Sequence, residues 1–228
     1  MSYPICFVSL GPGDPELITL KGLKKLRQAD IIYCPATISK SGQLLSRAAR
    51  IIEGLEIEKS VVQFFTLPMS KDRTEVWKVY DTLYEKAISA RDKEKKVVIV
   101  AEGDAGFYSS IQYIYDKFKE NHIEVERTAG IPAFIAAGAL AGLHIVKQEE
   151  QIIVIPGMLT AEELSKKIKT GNVIVIMKLS QCVEPSRPAS GCIRKRTSII
   201  LRISGPEKSF TPPTGNKSRG KYSHTFPL

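Results

Sequence analysis

Four short segments of this 228-residue chain carry residue types suited to holding a ligand. The first is Gly11-Pro-Gly-Asp-Pro15, and the second is Glu102-Gly-Asp-Ala-Gly-Phe-Tyr108, which has two glycines and two carboxylates. The third is Thr128-Ala-Gly-Ile-Pro-Ala133, and the fourth is Met177-Lys178. Glycine lacks a Cβ and lets a backbone approach a ligand closely. The pattern therefore predicts loops that bind through their backbone, with carboxylates beside them.

The residue types that would indicate a metal centre or a nucleophile are scattered. The three histidines, at positions 122, 144 and 224, are too far apart in sequence to suggest a metal site. Cys6 and Cys34 fall in apolar stretches, and Cys182 and Cys192 have neither metal-ligand spacing nor nearby histidines. We therefore expect free thiols, no metal site and no catalytic triad.

Each of the four segments follows an apolar run or opens a helix-like pattern. Runs rich in Ile and Val predict strands at Ile5–Leu10, Ile31–Cys34, Val97–Ala101, Ile123–Glu126, Ile152–Ile155 and Val173–Met177. Helices are predicted from near Thr19, over Lys71–Ala90, over Phe134–Leu143 and after the capping box Thr160-Ala-Glu-Glu163. Alternating strands and helices predict an α/β fold, in which ligands lie at the carboxyl ends of the strands.

The charge is concentrated at the end of the chain. Of the formal net charge of +9, residues 1–181 carry +2 and residues 182–228 carry +7. These 47 residues also hold six of the 13 prolines, and within them only Ser198–Ile203 resembles a strand. Aromatic residues that would stack on bases are few there, namely Phe210, Tyr222 and Phe226, so we expect no nucleic-acid partner.

Hydrophobicity gives no sign of a membrane protein. The mean hydropathy is −0.07, and the apolar runs are about five residues long, whereas a membrane span needs about 20. The first residues lack a basic stretch followed by an apolar run of signal-peptide length. We therefore expect a cytoplasmic protein with no membrane association.

Together, in this order and spacing, the four segments resemble the tetrapyrrole methylase family, which methylates corrin and sirohaem precursors with S-adenosylmethionine. The resemblance covers about residues 1–181. Within the family, the chain is most similar to precorrin-2 C20-methyltransferases, on the segments Tyr33–Thr37, Phe65–Arg73 and Glu102–Tyr108. The resemblance implies methyl transfer to C20 of precorrin-2, or of its cobalt form, in cobalamin biosynthesis.

The resemblance also implies an architecture and a set of cofactor contacts. It implies two α/β domains with a cleft between them, at residues 1–127 and 128–228, and a homodimer. The residues that it implies for S-adenosylmethionine are Pro12, Glu102, Gly103, Asp104, Phe107, Pro132, Ala133 and Met177.

The reaction that the resemblance implies explains the lack of an obvious catalytic set. A sulfonium methyl group is already activated, so alignment matters more than a strong nucleophile. Asp104 and Tyr108 are candidates for a base, with Asp104 equally suited to holding its loop, and the catalytic residue stays open. The substrate's carboxylates favour basic partners, for which the candidates are Lys40, Arg47, Lys71, Arg73 and Lys178.

Three alternatives remain open. One is another methylase of the same superfamily, acting at a different corrin position, on ribosomal RNA ribose or on a diphthamide precursor. The second is a nucleic-acid-binding protein that uses the basic tail, and the third is a catalytically impaired interaction module with the same fold. Binding of S-adenosylmethionine and the choice of acceptor separate them.

The atypical tail has two explanations, which are a shifted reading frame from about Cys182 and a genuine basic tail acquired by this lineage. The family continues with a helix and further strands after the equivalent of Gln181, whereas Val183–Gly191 contains two prolines. Thr211–Gly220 lacks apolar periodicity. On the reading-frame hypothesis the second domain is altered or incomplete, with an unpaired sheet edge and part of the adenosine pocket missing.

Overall fold

The computed structural model describes residues 2–39, 41–68, 73–157, 160–177, 196–203 and 221–227. The chain divides into a first unit, Met1–Pro132, and a second unit, Ala133–Leu228. The sequence predicts this boundary after Arg127. The strand at Val125–Thr128 pairs with the strand at Ile5–Ser9, and this pairing places it in the first unit.

The first unit alternates strands and helices, as the hydrophobic pattern predicts. In chain order its elements are β1 (Ile5–Ser9), α1 (Leu20–Arg27), β2 (Ile31–Ile38), β3 (Leu44–Leu45), α2 (Arg47–Gly54), β4 (Val62–Thr66), α3 (Arg73–Asp92), β5 (Val97–Ala101), α4 (Gln112–Glu120) and β6 (Val125–Thr128). Sequence patterning did not predict β4, in which Gln63 interrupts the apolar run. The sixth strand begins at Val125 rather than at the predicted Ile123.

Parallel pairing places β1 inside this sheet, between β5 and β6. The path through the sheet is β3-β2-β5-β1-β6, and β4 pairs with β2 on the side opposite β5. All of these pairings are parallel except that of β2 with the short strand β3. Since β1 and β5 are covered on both faces, every residue in each of them is buried.

The two faces of the sheet have separate hydrophobic cores. One face packs Val8 and Val100 with α1 and α2 residues such as Leu26 and Ile52. The other face packs Phe7 with α3 and α4, and the Phe118 ring contacts that of Phe7 edge-on at 6.1 Å between centroids. The helix that follows β1 and the helix that follows β5 therefore lie on opposite faces.

The second unit contains a smaller sheet. Its elements are α5 (Ala133–Leu140), β7 (Ile152–Ile155), α6 (Ala161–Lys169), β8 (Val173–Met177), β9 (Arg196–Ile203) and β10 (Lys221–Pro227), with the strand order β10-β9-β8-β7. The predicted capping box is confirmed, because the Glu163 carboxylate accepts from the Thr160 backbone N–H at 2.8 Å while the Thr160 hydroxyl accepts from the Glu163 N–H.

The tail forms one strand more than the sequence predicts. The predicted strand at Ser198–Ile203 is confirmed within β9, which pairs antiparallel with β8. The prediction that no other tail segment forms a strand is wrong, because β10 pairs antiparallel with β9. The sheet therefore continues beyond β8 instead of ending there. The segments 183–191 and 211–220, on which the reading-frame hypothesis also depends, lie outside the described residues.

Candidate active site

Three of the four predicted segments meet at the carboxyl edge of the first sheet. They follow β1, β5 and β6, and these strands are parallel neighbours, so their carboxyl ends lie side by side. The chain leaves β1 toward α1 on one face and leaves β5 toward α4 on the other. Such a change of direction between adjacent strands is the usual position of a ligand crevice in an open α/β sheet.

The first two loops are joined directly through their glycines. The Gly11 N–H donates to the Gly103 carbonyl at 3.1 Å, and the Gly103 N–H donates to the Gly11 carbonyl at 2.6 Å. Both glycines have positive φ, +79° at Gly11 and +67° at Gly103. A Cβ on Gly103 would project into open space with no protein atom within 4 Å. A ligand can therefore reach this backbone, which fits a cofactor bound by the loops.

A buried polar network fixes the bases of these loops, and it joins Ser9, which sequence reasoning missed, to Thr128, the first residue of the third segment. Ser9, at the end of β1, is fully buried, and its hydroxyl donates to the Thr128 carbonyl at 2.6 Å and accepts from the Ala105 N–H at 2.9 Å. The Ser9 backbone N–H donates to the Thr128 hydroxyl at 3.2 Å. Each of these buried groups has a partner, so the network positions all three loops at little energetic cost.

Asp104 links the second loop to the third. One carboxylate oxygen accepts from the Gly106 N–H and the other from the Gly130 N–H, each at 2.7 Å. The loops approach so closely that a Cβ on Gly130 would lie 2.4 Å from the Gly103 carbonyl oxygen. We therefore assign Asp104 the loop-holding role, because both of its oxygens are already engaged.

The second loop ends in an aromatic pair with unusual backbone geometry. Tyr108 has a φ of +50°, a backbone conformation that residues other than glycine adopt infrequently. Its ring lies edge-on to that of Phe107, with 4.7 Å between centroids, and the Tyr108 side chain is 46% exposed. The aromatic surface of the loop is thus available to a flat ligand.

An ion pair lies beside this loop, at the start of α2. The Ser46 hydroxyl caps that helix by accepting from the Ala49 N–H, and it donates to the Pro35 carbonyl within β2. The helix therefore begins at the carboxyl edge of the sheet, where the Arg47 Nε lies 3.6 Å from a Glu102 carboxylate oxygen. Burial raises the pKa of Glu102, against the lowering effect of Arg47 and Arg50.

The remaining predicted residues are distributed over both units. Pro12 is buried and Pro132 is half-buried in the first unit. In the second unit Ala133 begins α5, and Met177 ends β8, where it pairs with Ser198. Of the candidate basic residues, Arg47 and the exposed Arg73 are described, whereas Lys40, Lys71 and Lys178 lie outside the described residues.

Neither a metal cluster nor a membrane-spanning helix is found among the described residues. Over the part of the chain that the structure describes, no group of three or more His, Cys, Asp and Glu side chains is arranged to hold a metal ion. Over the same residues, no helix is long and apolar enough to cross a membrane.

Comparison of the sequence with protein families gives one match over most of the chain. The model of the Tetrapyrrole (Corrin/Porphyrin) Methylases matches residues 4–192. A Methanocaldococcus jannaschii protein named "Probable cobalt-precorrin-2 C(20)-methyltransferase" is 32% identical over 171 residues, which is 75% of this chain and 70% of that protein. The Precorrin-2 C(20)-methyltransferase of Sinorhizobium sp. is 31% identical over 190 residues, covering 80% of this chain and 76% of that protein.

Solved structures share the fold. A cobalt precorrin-4 methyltransferase superposes with a TM-score of 0.56 at 21% identity, covering 77% of this chain and 69% of that one. The uroporphyrin III C-methyl transferase of Thermus thermophilus superposes with a TM-score of 0.54 at 19% identity, covering 77% and 70%. These likenesses confirm the predicted α/β fold.

Proposed function

Because the chain belongs to the tetrapyrrole methylase family, we propose that it transfers a methyl group from S-adenosylmethionine to C20 of precorrin-2, or of its cobalt form, in cobalamin biosynthesis. The observation that carries this proposal is the 31–32% identity to two relatives that are both named for methyl transfer to this carbon. It agrees with the segments Tyr33–Thr37, Phe65–Arg73 and Glu102–Tyr108, on which the sequence resembles that subfamily.

The loop cluster of the first unit fits the binding of the methyl donor. When bound, S-adenosylmethionine supplies a sulfonium methyl group that is already activated for displacement by an electron-rich carbon. The chain's own task is then to hold the reactants in line and to exclude water. The bridge between Gly11 and Gly103 fixes two loop backbones, and the open space over the Gly103 Cα leaves room for the ligand.

The proposed cofactor contacts are those that the family resemblance implies. They are Pro12, Glu102, Gly103, Asp104, Phe107, Pro132, Ala133 and Met177. Support in the first unit comes from the hydrogen bonds of Asp104, which hold Gly106 and Gly130 in one cluster with Gly103. For Glu102 and Asp104 we assign the cofactor contact to the backbone, because their side chains face Arg47 and the loop N–H groups.

The substrate is a macrocycle with many carboxylates, and any cobalt is held by the macrocycle rather than by the protein. Arg47 is the described basic residue that lies beside the loop cluster, and its guanidinium is suited to paired hydrogen bonds with a carboxylate. The ring pair of the half-buried Phe107 and the exposed Tyr108 is suited to contact with a flat ring system. We also propose that the protein acts as a homodimer in the cytoplasm, which sedimentation and cell fractionation test.

The decisive experiment offers the protein several acceptors in parallel. Purified protein is incubated with methyl-labelled S-adenosylmethionine and precorrin-2, with and without cobalt, and the position of the label is read by NMR. We expect label at C20, and slower or no transfer to uroporphyrinogen III or to RNA. Methylation of RNA without methylation of the tetrapyrrole would overturn the proposal, as would the absence of cofactor binding by calorimetry.

A further inference from the structure

Glu102 occupies a position in the sheet that its proposed backbone contact with the cofactor does not use. It directly follows β5, and β5 pairs with β2 only as far as Ile99 with Tyr33. The second strand continues to Ile38, paired there with β4 and β3. At the carboxyl edge β2 and β5 are therefore no longer hydrogen-bonded to each other, and the Glu102 side chain reaches across to the first residue of α2.

Among the residues that the structure describes, the charged groups that shift the pKa of Glu102 lie on one helix. Arg47 and Arg50 face it from α2, and the titratable group facing it from β2 is the Cys34 thiol. Burial raises the pKa of Cys34 to about 11, so this thiol is neutral near pH 7. Within the described part of the chain, the charged groups that act on Glu102 are thus Arg47 and Arg50.

The ion pair between Arg47 and Glu102 is loose. Its 3.6 Å separation exceeds the range of a good hydrogen bond between nitrogen and oxygen. Both side chains are also partly exposed, 40% for Arg47 and 43% for Glu102. A carboxylate brought by a substrate can therefore compete for the guanidinium without breaking a strong bond.

We propose that the Glu102 carboxylate accepts the proton that leaves the substrate carbon after methyl transfer, and that Arg47 holds a substrate carboxylate beside it. This inference rests on the proposed function. It names the proton acceptor that sequence reasoning left open, and it replaces Asp104, whose two carboxylate oxygens accept from Gly106 and Gly130.

The proton balance of the step is simple. C20 forms a bond to the methyl carbon while the bond from that carbon to sulfur breaks, and the electron pair of the broken bond goes to the sulfur. C20 then carries both the methyl group and its original hydrogen. The bond from C20 to this hydrogen breaks, the proton goes to a Glu102 carboxylate oxygen, and the electron pair returns to the conjugated macrocycle. No oxidant or metal is needed.

Glu102 is suited to this role by its surroundings. Desolvation raises the pKa of Glu102, which strengthens the carboxylate as a base, whereas Arg47 and Arg50 favour its ionised form. The activity should therefore fall as the pH drops through the pKa of Glu102. Loss of the positive charge of Arg47 disfavours the ionised form, so in Arg47→Gln this acid limb should move to higher pH.

The test combines kinetics with a direct titration of the free protein. Steady-state methylation of precorrin-2 is measured against pH for the wild type and for Glu102→Gln, Glu102→Asp and Arg47→Gln. The Glu102 carboxyl is titrated by NMR in protein labelled with ¹³C-glutamate, its resonance being the one missing in Glu102→Gln. The matched controls are Glu53→Gln and Lys59→Gln, because these residues form an exposed ion pair at the other end of α2.

We expect kcat to fall about 100-fold or more in Glu102→Gln and to recover in part in Glu102→Asp. In Arg47→Gln the KM for precorrin-2 should rise about tenfold, and both the Glu102 titration and the acid limb should move to higher pH. The control variants should match the wild type. Calorimetry should give unchanged affinity for S-adenosylmethionine in Glu102→Gln.

Two results would overturn the inference. One is a kcat within about threefold of wild type in Glu102→Gln, and the other is a Glu102 titration that Arg47→Gln leaves in place. Failure of the proposed function is distinguishable, because the wild type itself would then not methylate either form of precorrin-2, whereas the titration in the free protein would still report on the ion pair.

Discussion

Replacement of Gly130 by alanine should disrupt the loop cluster, because the structure leaves no room for a side chain there. The new Cβ would lie 2.4 Å from both the Gly103 carbonyl oxygen and the Ser9 Cβ, whereas ordinary contacts of a Cβ are at 3.4–4 Å. Both neighbours would have to move by about 1 Å. This displacement is unfavourable for Ser9, since it is fully buried and hydrogen-bonded to Thr128 and to the Ala105 N–H.

The cost has two parts. Overpacking of a well-packed site destabilises by about 1–3 kcal/mol. Displacement of the Gly103 carbonyl also weakens the hydrogen bond that it accepts from the Gly11 N–H, and loss of such a bond costs about 1 kcal/mol or more. We therefore expect Gly130→Ala to lower the free energy of unfolding by about 2–4 kcal/mol.

The assay is urea denaturation followed by the fluorescence of Trp77, which is the single tryptophan of the chain and lies in the first unit. With a denaturant slope of about 2 kcal/mol/M, the midpoint should fall by about 1–2 M. Gly157→Ala is the control, because a Cβ on Gly157 meets nothing within 4 Å. A Gly130→Ala midpoint within about 0.2 M of wild type would refute the packing argument.

Three further predictions concern the cofactor loop, a buried thiol and the tail. Gly103→Val should weaken S-adenosylmethionine binding at least about tenfold in calorimetry, since its side chain enters the open space over the loop at a position with φ of +67°; unchanged affinity would count against the loop as a cofactor site. Burial raises the pKa of Cys34 from 9.0 to about 11, so the native thiol keeps its proton where the unfolded one loses it. The free energy of unfolding should therefore fall between about pH 9 and pH 11, and a decline of the same size in Cys34→Ala would contradict this. When the coding DNA past codon 181 is translated in its other two frames, one of them should encode a helix followed by β-strands. The reading-frame hypothesis is wrong if neither frame does.

Local sequence was sufficient for most elements of the fold. The buried runs Val97–Ala101 and Val173–Met177 are strands with the predicted bounds, because uninterrupted branched residues suit a strand covered on both faces. The helix starts at Thr19 and Thr160 were also predictable, since a capping side chain acts on N–H groups two or three residues ahead. Each of these signals lies within a few residues of the structure that it specifies.

Elements without such a local signal were missed. The strand β4 has polar and exposed positions, and its pairing with β2 defines it more than its own composition does. The strand β10 lies in a segment rich in charge and proline, and it forms as the antiparallel partner of β9. In both cases pairing with the neighbouring strand stabilises a strand whose own residues show no strand pattern.

The order and spacing of the glycine-rich segments, together with the family that they resemble, could be read from the sequence, because they depend on residue identity along the chain. The contacts that make a site of them required the tertiary structure. Ser9 is hydrogen-bonded to Thr128 and Asp104 to Gly130, and Arg47 forms an ion pair with Glu102. The residues in each pair are much farther apart in sequence than any local pattern extends. These contacts exist because β1 lies between β5 and β6 and because α2 begins beside the end of β5, an arrangement set by strand pairing across the sheet rather than by order along the chain.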